Sequence, residues 1–80
     1  MARDLYADGY ELAERLQERG EREWSDRISN SIDDGFTATE ILMALRFQIT
    51  ELLGSDVSLD EDTRALAGSL IADIGSALER

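Results

Sequence analysis

The sequence contains no cysteine and no histidine, and both absences limit the chemistry of the chain. Without cysteine there is no disulfide and no thiolate, and without histidine a zinc site is not expected. Carboxylates, hydroxyls and arginine are left as reactive groups. The acidic runs Asp33-Asp34 and Asp60-Glu61-Asp62 lack the spacing of a calcium loop. The sequence therefore predicts a protein that is not an enzyme, binds no metal and needs no cofactor.

Long apolar runs and an excess of positive charge are also missing. No segment approaches the roughly 20 apolar residues of a membrane span, and the first residues lack the apolar stretch of a signal peptide. The formal net charge is −10, and every basic residue is arginine. Such a charge opposes binding to phosphate backbones and anionic lipid. We therefore expect a cytoplasmic protein that avoids nucleic acid and membranes and engages another protein, of basic or neutral charge.

The chain lacks proline as well, and three glycines divide its 80 residues into four segments with helical periodicity. Gly20, Gly35 and Gly54 are each expected just after the end of a helix. The predicted helices span residues 4–19, 21–34, 37–53 and 58–78, and no stretch alternates with the period of a strand. The pattern predicts an all-α fold, a compact bundle of four helices with short glycine-punctuated links, in a single domain of residues 1–80.

Two helix starts carry capping signatures. Thr37 followed by Glu40 fits a capping box, in which the hydroxyl accepts an early backbone amide and the glutamate reaches back. Phe36 and Ile41 flank this box at the positions of a hydrophobic staple. Ser58-Leu59-Asp60-Glu61 fits a second box, with acidic residues in the first turn that the helix dipole favours. The third and fourth helices are therefore predicted to begin after Thr37 and Ser58.

The third predicted helix is apolar on two sides. At about 100° per residue, one face is formed by Ile41, Leu42, Leu45, Ile49, Leu52 and Leu53. Met43 and Phe47 fall nearly opposite that face. Either the first or second helix covers them, or they face a partner. The second interpretation predicts a partner-binding surface, which comprises Trp24, Glu40, Met43, Phe47 and Glu51.

Trp24 has two interpretations of its own. With Ile28 and Ile32 it forms a stripe with a spacing of four residues, which is typical of a helix face packed on a core. Tryptophan is also enriched in binding hot spots. Trp24 is therefore either the core anchor of the second helix or a partly exposed anchor for a partner.

Small residues line the fourth helix away from its predicted core face, which is formed by Leu66, Ala67, Leu70, Ile71, Ile74, Ala77 and Leu78. Ala65, Gly68, Ala72 and Gly75 share this stripe. Glycine inside a helix costs about 1 kcal/mol relative to alanine, so two glycines suggest that another backbone approaches closely. The alternative is an ordinary exposed face. The first interpretation makes this stripe a candidate homodimer face.

Two local patterns resemble known families. The stretch from Asp34 to Leu45 resembles the start of the second helix in acyl carrier proteins, which are also acidic, four-helical and near 80 residues long. Their phosphopantetheine-bearing serine is replaced here by Gly35, which has no hydroxyl to modify. The segments Gly20 to Trp24 and Gly35 to Arg46 resemble small bacterial helical proteins of unknown function, some of which look like immunity proteins.

These observations give one leading hypothesis and two alternatives. The leading hypothesis is a non-catalytic module that binds another protein, for example an immunity-like antagonist of a basic toxin. The first alternative is a degenerate carrier protein in which Thr37 or Ser58 takes the place of the missing serine. The second is a structural homodimer built on the fourth helix.

Overall fold

Four helices make up nearly all of the structure. The computed structural model describes residues 4–79. Residues 1–3 and 80 of the predicted domain lie outside it. Residues 1–3 are also the first of those considered for a signal peptide. The helices are α1 (Leu5–Glu18), α2 (Arg22–Asp33), α3 (Ala38–Leu53) and α4 (Glu61–Leu78). The first three match the predicted spans to within one residue at each end. Since residues 4–79 contain no strand, the predicted all-α fold is confirmed.

The helices form a closed ring in which each one packs on two others. The second helix lies between α1 and α3, and the fourth helix also contacts both of them. All four contribute to one buried core, whose apolar members are Leu12, Ala13, Leu16, Ile28, Ile32, Leu45, Ile49, Leu52, Ala67, Leu70 and Ile74. This arrangement confirms the predicted four-helix bundle and the predicted core faces of α3 and α4.

The first turn of α3 is held by Thr37, as the sequence predicts. Its hydroxyl oxygen accepts a hydrogen bond from the backbone N–H of Glu40 at 3.1 Å. The Glu40 carboxylate does not reach back to the Thr37 backbone; among the described residues it accepts from the Thr37 hydroxyl at 3.3 Å. Half of the capping box therefore forms, and it fixes where α3 begins.

The fourth helix begins later than its capping signature predicts. Asp60, and not Ser58, is the N-cap. One carboxylate oxygen of Asp60 accepts from the Thr63 backbone N–H at 3.2 Å, and the other accepts from the Thr63 hydroxyl at 2.6 Å. The Ser58 carbonyl instead accepts from the Arg19 guanidinium at 2.8 Å. The prediction of a box at Ser58 is wrong because a side chain from the end of α1 holds Ser58 in the link.

Gly20 and Gly54, two of the three glycines predicted to follow helix ends, differ in backbone conformation. Gly20 has φ of 84° and ends α1, with its N–H bonded to the Gln17 carbonyl and the Glu21 N–H bonded to the Leu16 carbonyl. This is the Schellman arrangement, which favours glycine. Gly54 is itself the C-cap residue of α3, whereas Gly20 follows the C-cap of α1. The φ of Gly54 is −88°. Glycine is therefore required by backbone conformation at Gly20 but not at Gly54.

The predicted hydrophobic staple at α3 does not form. Phe36 is 93% exposed and does not cover Ile41. The neighbouring Gly35 takes this place, because a Cβ atom there would collide with the Ile41 side chain. The backbone at Gly35 approaches Ile41 closely while Phe36 faces solvent, so the prediction for Phe36 is wrong.

Candidate functional site

The side of α3 that faces away from the core carries large apolar side chains. Met43 is 52% exposed and Phe47 is 59% exposed. Glu40, Met43, Phe47 and Glu51 fall within an arc of roughly 80° around the helix axis. All four are exposed, while Leu45, Ile49 and Leu52 on the opposite side are fully buried. We call these four residues the α3 outer face.

The expectation that α1 or α2 covers Met43 and Phe47 is therefore wrong. Both neighbouring helices of α3 pack on its inner side, where the leucines and isoleucines lie. The sequence places the two residues correctly on a second apolar side of the helix. Their exposure depends on how the bundle closes, which periodicity does not report.

Phe36 adds a third exposed apolar side chain at the start of α3. It lies one residue before the N-cap Thr37 and is the most exposed large apolar residue of the described chain. The sequence pattern did not predict this exposure, because Phe36 occupies a position at which an apolar residue usually packs inward. Phe36, Met43 and Phe47 together form what we call the exposed apolar trio.

Carboxylates surround this trio. Glu40 precedes Met43 by three residues, and Glu51 follows Phe47 by four, so both lie on the same face. Asp33 is the last residue of α2, and Asp34 follows it two residues before Phe36. The single basic residue of α3 is Arg46, which makes no ion pair within residues 4–79. Carboxylates therefore outnumber this one arginine around the α3 outer face.

Trp24 lies on α2 in a different environment. Its side chain is half-buried and packs against the core. The guanidinium of Arg27 lies over the ring, 4.6 Å from its centroid. Arg27 is in turn paired with Glu23 at 2.9 Å. The structure thus gives Trp24 the packing of a core anchor, and its predicted contact with a partner stays a prediction.

The small residues of α4 point to open solvent. Ala65, Gly68 and Ala72 are exposed, and Gly75 is partly exposed. A Cβ atom built at Gly68 or at Gly75 would meet no atom of the chain within 4 Å. Packing inside the described chain therefore gives no reason for glycine at either position. The predicted use of this stripe in a dimer stays a prediction.

Two polar contacts join residues far apart in the sequence and were not predicted from it. Arg19 at the end of α1 pairs with Asp60 at 3.1 Å. Hydrogen bonds from Thr63, assisted by the charge of Arg19, hold the pKa of Asp60 below its usual range. Tyr10 of α1 donates its hydroxyl proton to Asp33 of α2, and this hydrogen bond raises the pKa of Tyr10. Helical periodicity contains no signal for contacts between residues 23 or 41 positions apart.

The described residues form no group of three acidic side chains that could hold a metal ion. None of the helices in residues 4–79 has the length and apolarity needed to cross a bilayer. The polar side-chain atoms buried in this part of the chain all have hydrogen-bond partners. Among the features of the described residues, the exposed apolar trio and the open glycines of α4 are the two that the fold leaves without an intramolecular explanation.

No family model matches the chain, and no curated protein and no solved structure is significantly similar to it. The resemblances to carrier proteins and to immunity-like proteins therefore stay predictions. At the position of the carrier serine, Gly35 lies against Ile41. The hydroxyl of Thr37, one of the two proposed replacements, is engaged in the α3 cap.

Proposed function

We propose that this protein is a non-catalytic module that binds another protein through the outer face of α3. The observation that carries the proposal is the exposure of Met43 and Phe47 on a helix whose opposite face already fills the core. Single exposed apolar residues are common, but clustered ones often mark contact surfaces. Here two lie one helical turn apart, and Phe36 is exposed just before the same helix begins.

The composition of the face supports recognition. Aromatic residues and methionine are enriched in the cores of protein interfaces, where they fill pockets on the partner. Met43 adapts to an irregular surface, because methionine is unbranched and flexible. The charged residues Glu40 and Glu51 stand at the rim of the face, where polar groups remain solvated. An immunity-like protein that covers a toxin is one concrete form of such a module.

Site-specific photo-crosslinking in cells tests the proposal. Benzoylphenylalanine replaces Met43 or Phe47, and the matched control replaces Asn30, an exposed residue of α2. We expect one discrete adduct from positions 43 and 47 and none from position 30. Adducts of equal yield at all three positions, or at none, would contradict a specific contact through α3.

The captured protein then provides a quantitative test with purified components. Phe47→Ala should weaken binding by about tenfold or more, which is typical for an interfacial aromatic anchor. Asn30→Ala should leave the dissociation constant unchanged within error. Isothermal titration calorimetry measures both variants against the wild type. An unchanged affinity for Phe47→Ala would place the contact elsewhere.

A second candidate function is a structural homodimer through α4. The observation in its favour is the open space at Gly68 and Gly75, where helical glycine is unfavourable and packing within the chain does not require it. Sedimentation equilibrium of wild type and Gly68→Glu tests this alternative. A dimer that dissociates in the variant supports it, whereas a monomer in both cases rules it out.

A further inference from the structure

The shape of the exposed apolar trio limits the kind of element that can cover it. Met43 and Phe47 form a ridge along α3, about 6 Å apart at the rise of a helix, and Phe36 is exposed just before the helix begins. Ridges of this kind pack between the side-chain rows of a second helix. A segment that binds by strand addition would need a sheet edge with free backbone groups, and residues 4–79 contain no strand. A helix is therefore the element that fits the ridge.

The charges around the trio limit the partner further. Glu40 and Glu51 bound the ridge at its two ends, and Asp34 lies two residues before Phe36. Neither glutamate is paired with an arginine inside the described chain. The whole chain carries a formal charge of −10, which attracts cations from beyond the immediate contact. An element that brings basic residues on both sides of its apolar stripe would be complementary to this surface.

We infer that the partner element bound by the α3 outer face is a cationic amphipathic helix, an inference that rests on the proposed function. Its apolar residues cover Met43 and Phe47, and its lysine or arginine side chains lie beside Glu40 and Glu51. A second copy of this chain is the less suitable occupant. Two copies would bring the same carboxylates together across the interface, and like charges oppose such a contact.

A synthetic peptide tests the inference without knowledge of the natural partner. The probe is a fluorescein-labelled helix of leucine and lysine with one apolar face. One control has the same composition with the leucines distributed around the helix, and a second control replaces every lysine by glutamate. Fluorescence anisotropy gives the affinities, and the ¹³C-methyl resonance of Met43 reports whether the peptide lies on α3.

The inference predicts a specific pattern. The amphipathic basic peptide binds, shifts the Met43 methyl resonance and loses affinity as salt rises. Phe47→Ala weakens its binding by about tenfold or more, and the double variant Glu40→Gln/Glu51→Gln weakens it and reduces the salt dependence. Asn30→Ala binds like the wild type, and the scrambled and acidic peptides bind at least about tenfold more weakly.

Several results would overturn the inference. Equal binding of the scrambled peptide would show a charge effect without an apolar site. If Phe47→Ala leaves the affinity for the amphipathic peptide unchanged, the binding site lies away from α3. A wild-type homodimer that strengthens with salt and dissociates in Phe47→Ala would identify a second copy as the occupant.

The crosslinking experiment separates this inference from the proposed function. If the segment crosslinked to position 47 maps to an acidic or an extended region of its partner, the binding function stands and the cationic helix is wrong. If positions 43 and 47 give no specific adduct, the binding function itself fails. Mass spectrometry of the digested adduct distinguishes the two results.

Discussion

The aromatic residues of α2 and α3 lie in opposite environments. On α2, the Trp24 ring packs against the core on one side and is covered by Arg27 on the other, with Arg27 paired to Glu23. On α3, Phe47 and Met43 project into solvent and have no such cover. The exposure of Phe47 and Met43 is thus a feature of α3 that Trp24 does not share, and the proposed contact surface rests on it.

The largest effect is expected from comparing the two faces of α3. Leu45 is fully buried, so Leu45→Ala should reduce the free energy of unfolding by about 2 to 5 kcal/mol. Phe47 is 59% exposed, so Phe47→Ala should change it by less than about 0.5 kcal/mol. Urea unfolding followed by circular dichroism measures both. A large loss in Phe47→Ala would mean that this ring packs within the chain, which would break the contrast with Trp24.

A glycine on the buried side of α1 and a glycine on the open side of α4 should respond to alanine in opposite ways. A Cβ atom at Gly9 of α1 would lie 2.8 Å from the Ile32 Cδ1 atom and 3.2 Å from the Leu45 Cδ2 atom. Gly9→Ala should therefore lose about 1 kcal/mol, because overpacking outweighs the better helix propensity. At Gly68 of α4 the space is open, so Gly68→Ala should gain about 1 kcal/mol.

Thermal and urea unfolding of the two glycine variants check these signs. A loss of stability in Gly68→Ala would indicate that a second chain already approaches α4 closely. Sedimentation of the same sample then shows whether that chain is another copy of the protein.

Removal of the cover over Trp24 should have a smaller effect. Arg27→Ala loses a partly exposed cation–π contact and should cost about 0.5 to 1 kcal/mol. The single tryptophan makes fluorescence specific for this site. Acrylamide quenching should increase in Arg27→Ala but not in Arg22→Ala, a matched change of an exposed arginine on the same helix. Unchanged quenching would show that the core alone protects Trp24. The difference in exposure between Trp24 and Phe47 would then come from packing against the core and not from Arg27.

The smallest expected effect is the pH dependence contributed by Asp60. Because its folded-state pKa is lowered, ionised Asp60 stabilises the fold above the ordinary carboxyl range, and this contribution is lost as pH falls through the lowered pKa. Asp60→Asn should lower the urea midpoint at neutral pH, and the difference from wild type should shrink in strong acid. Asp56→Asn, in the same link, is the control. A difference that persists unchanged in acid would mean that hydrogen-bond geometry, and not charge, supports the start of α4.

Local sequence signals located the helices because they act over one or two turns. Thr37 caps α3 through an amide three residues away, and Gly20 ends α1 through bonds to Leu16 and Gln17. The alternation of apolar and polar positions likewise placed Leu45 on the core side and Phe47 on the opposite side. The candidate residues of α3 could therefore be named from the sequence.

One error arose where a distant residue competes with a local motif, and the other arose within the motif itself. Ser58 has the pattern of an N-cap, but Arg19 binds its carbonyl from across the bundle and the cap moves to Asp60. Phe36 has the pattern of a staple, but the chain approaches Ile41 at Gly35 instead. The Arg19 contact leaves no trace in the few residues around Ser58, and the close approach of Gly35 to Ile41 depends on the backbone path, which residue type alone does not specify.

The sequence by itself determined the number of helices, their approximate bounds and which residues share a face, because these depend on periodicity and on capping within one turn. The tertiary structure decided that Met43, Phe47 and Phe36 stay exposed while Trp24 is shielded. Exposure depends on which helices become neighbours and how closely their backbones approach, and that is a property of the closed bundle.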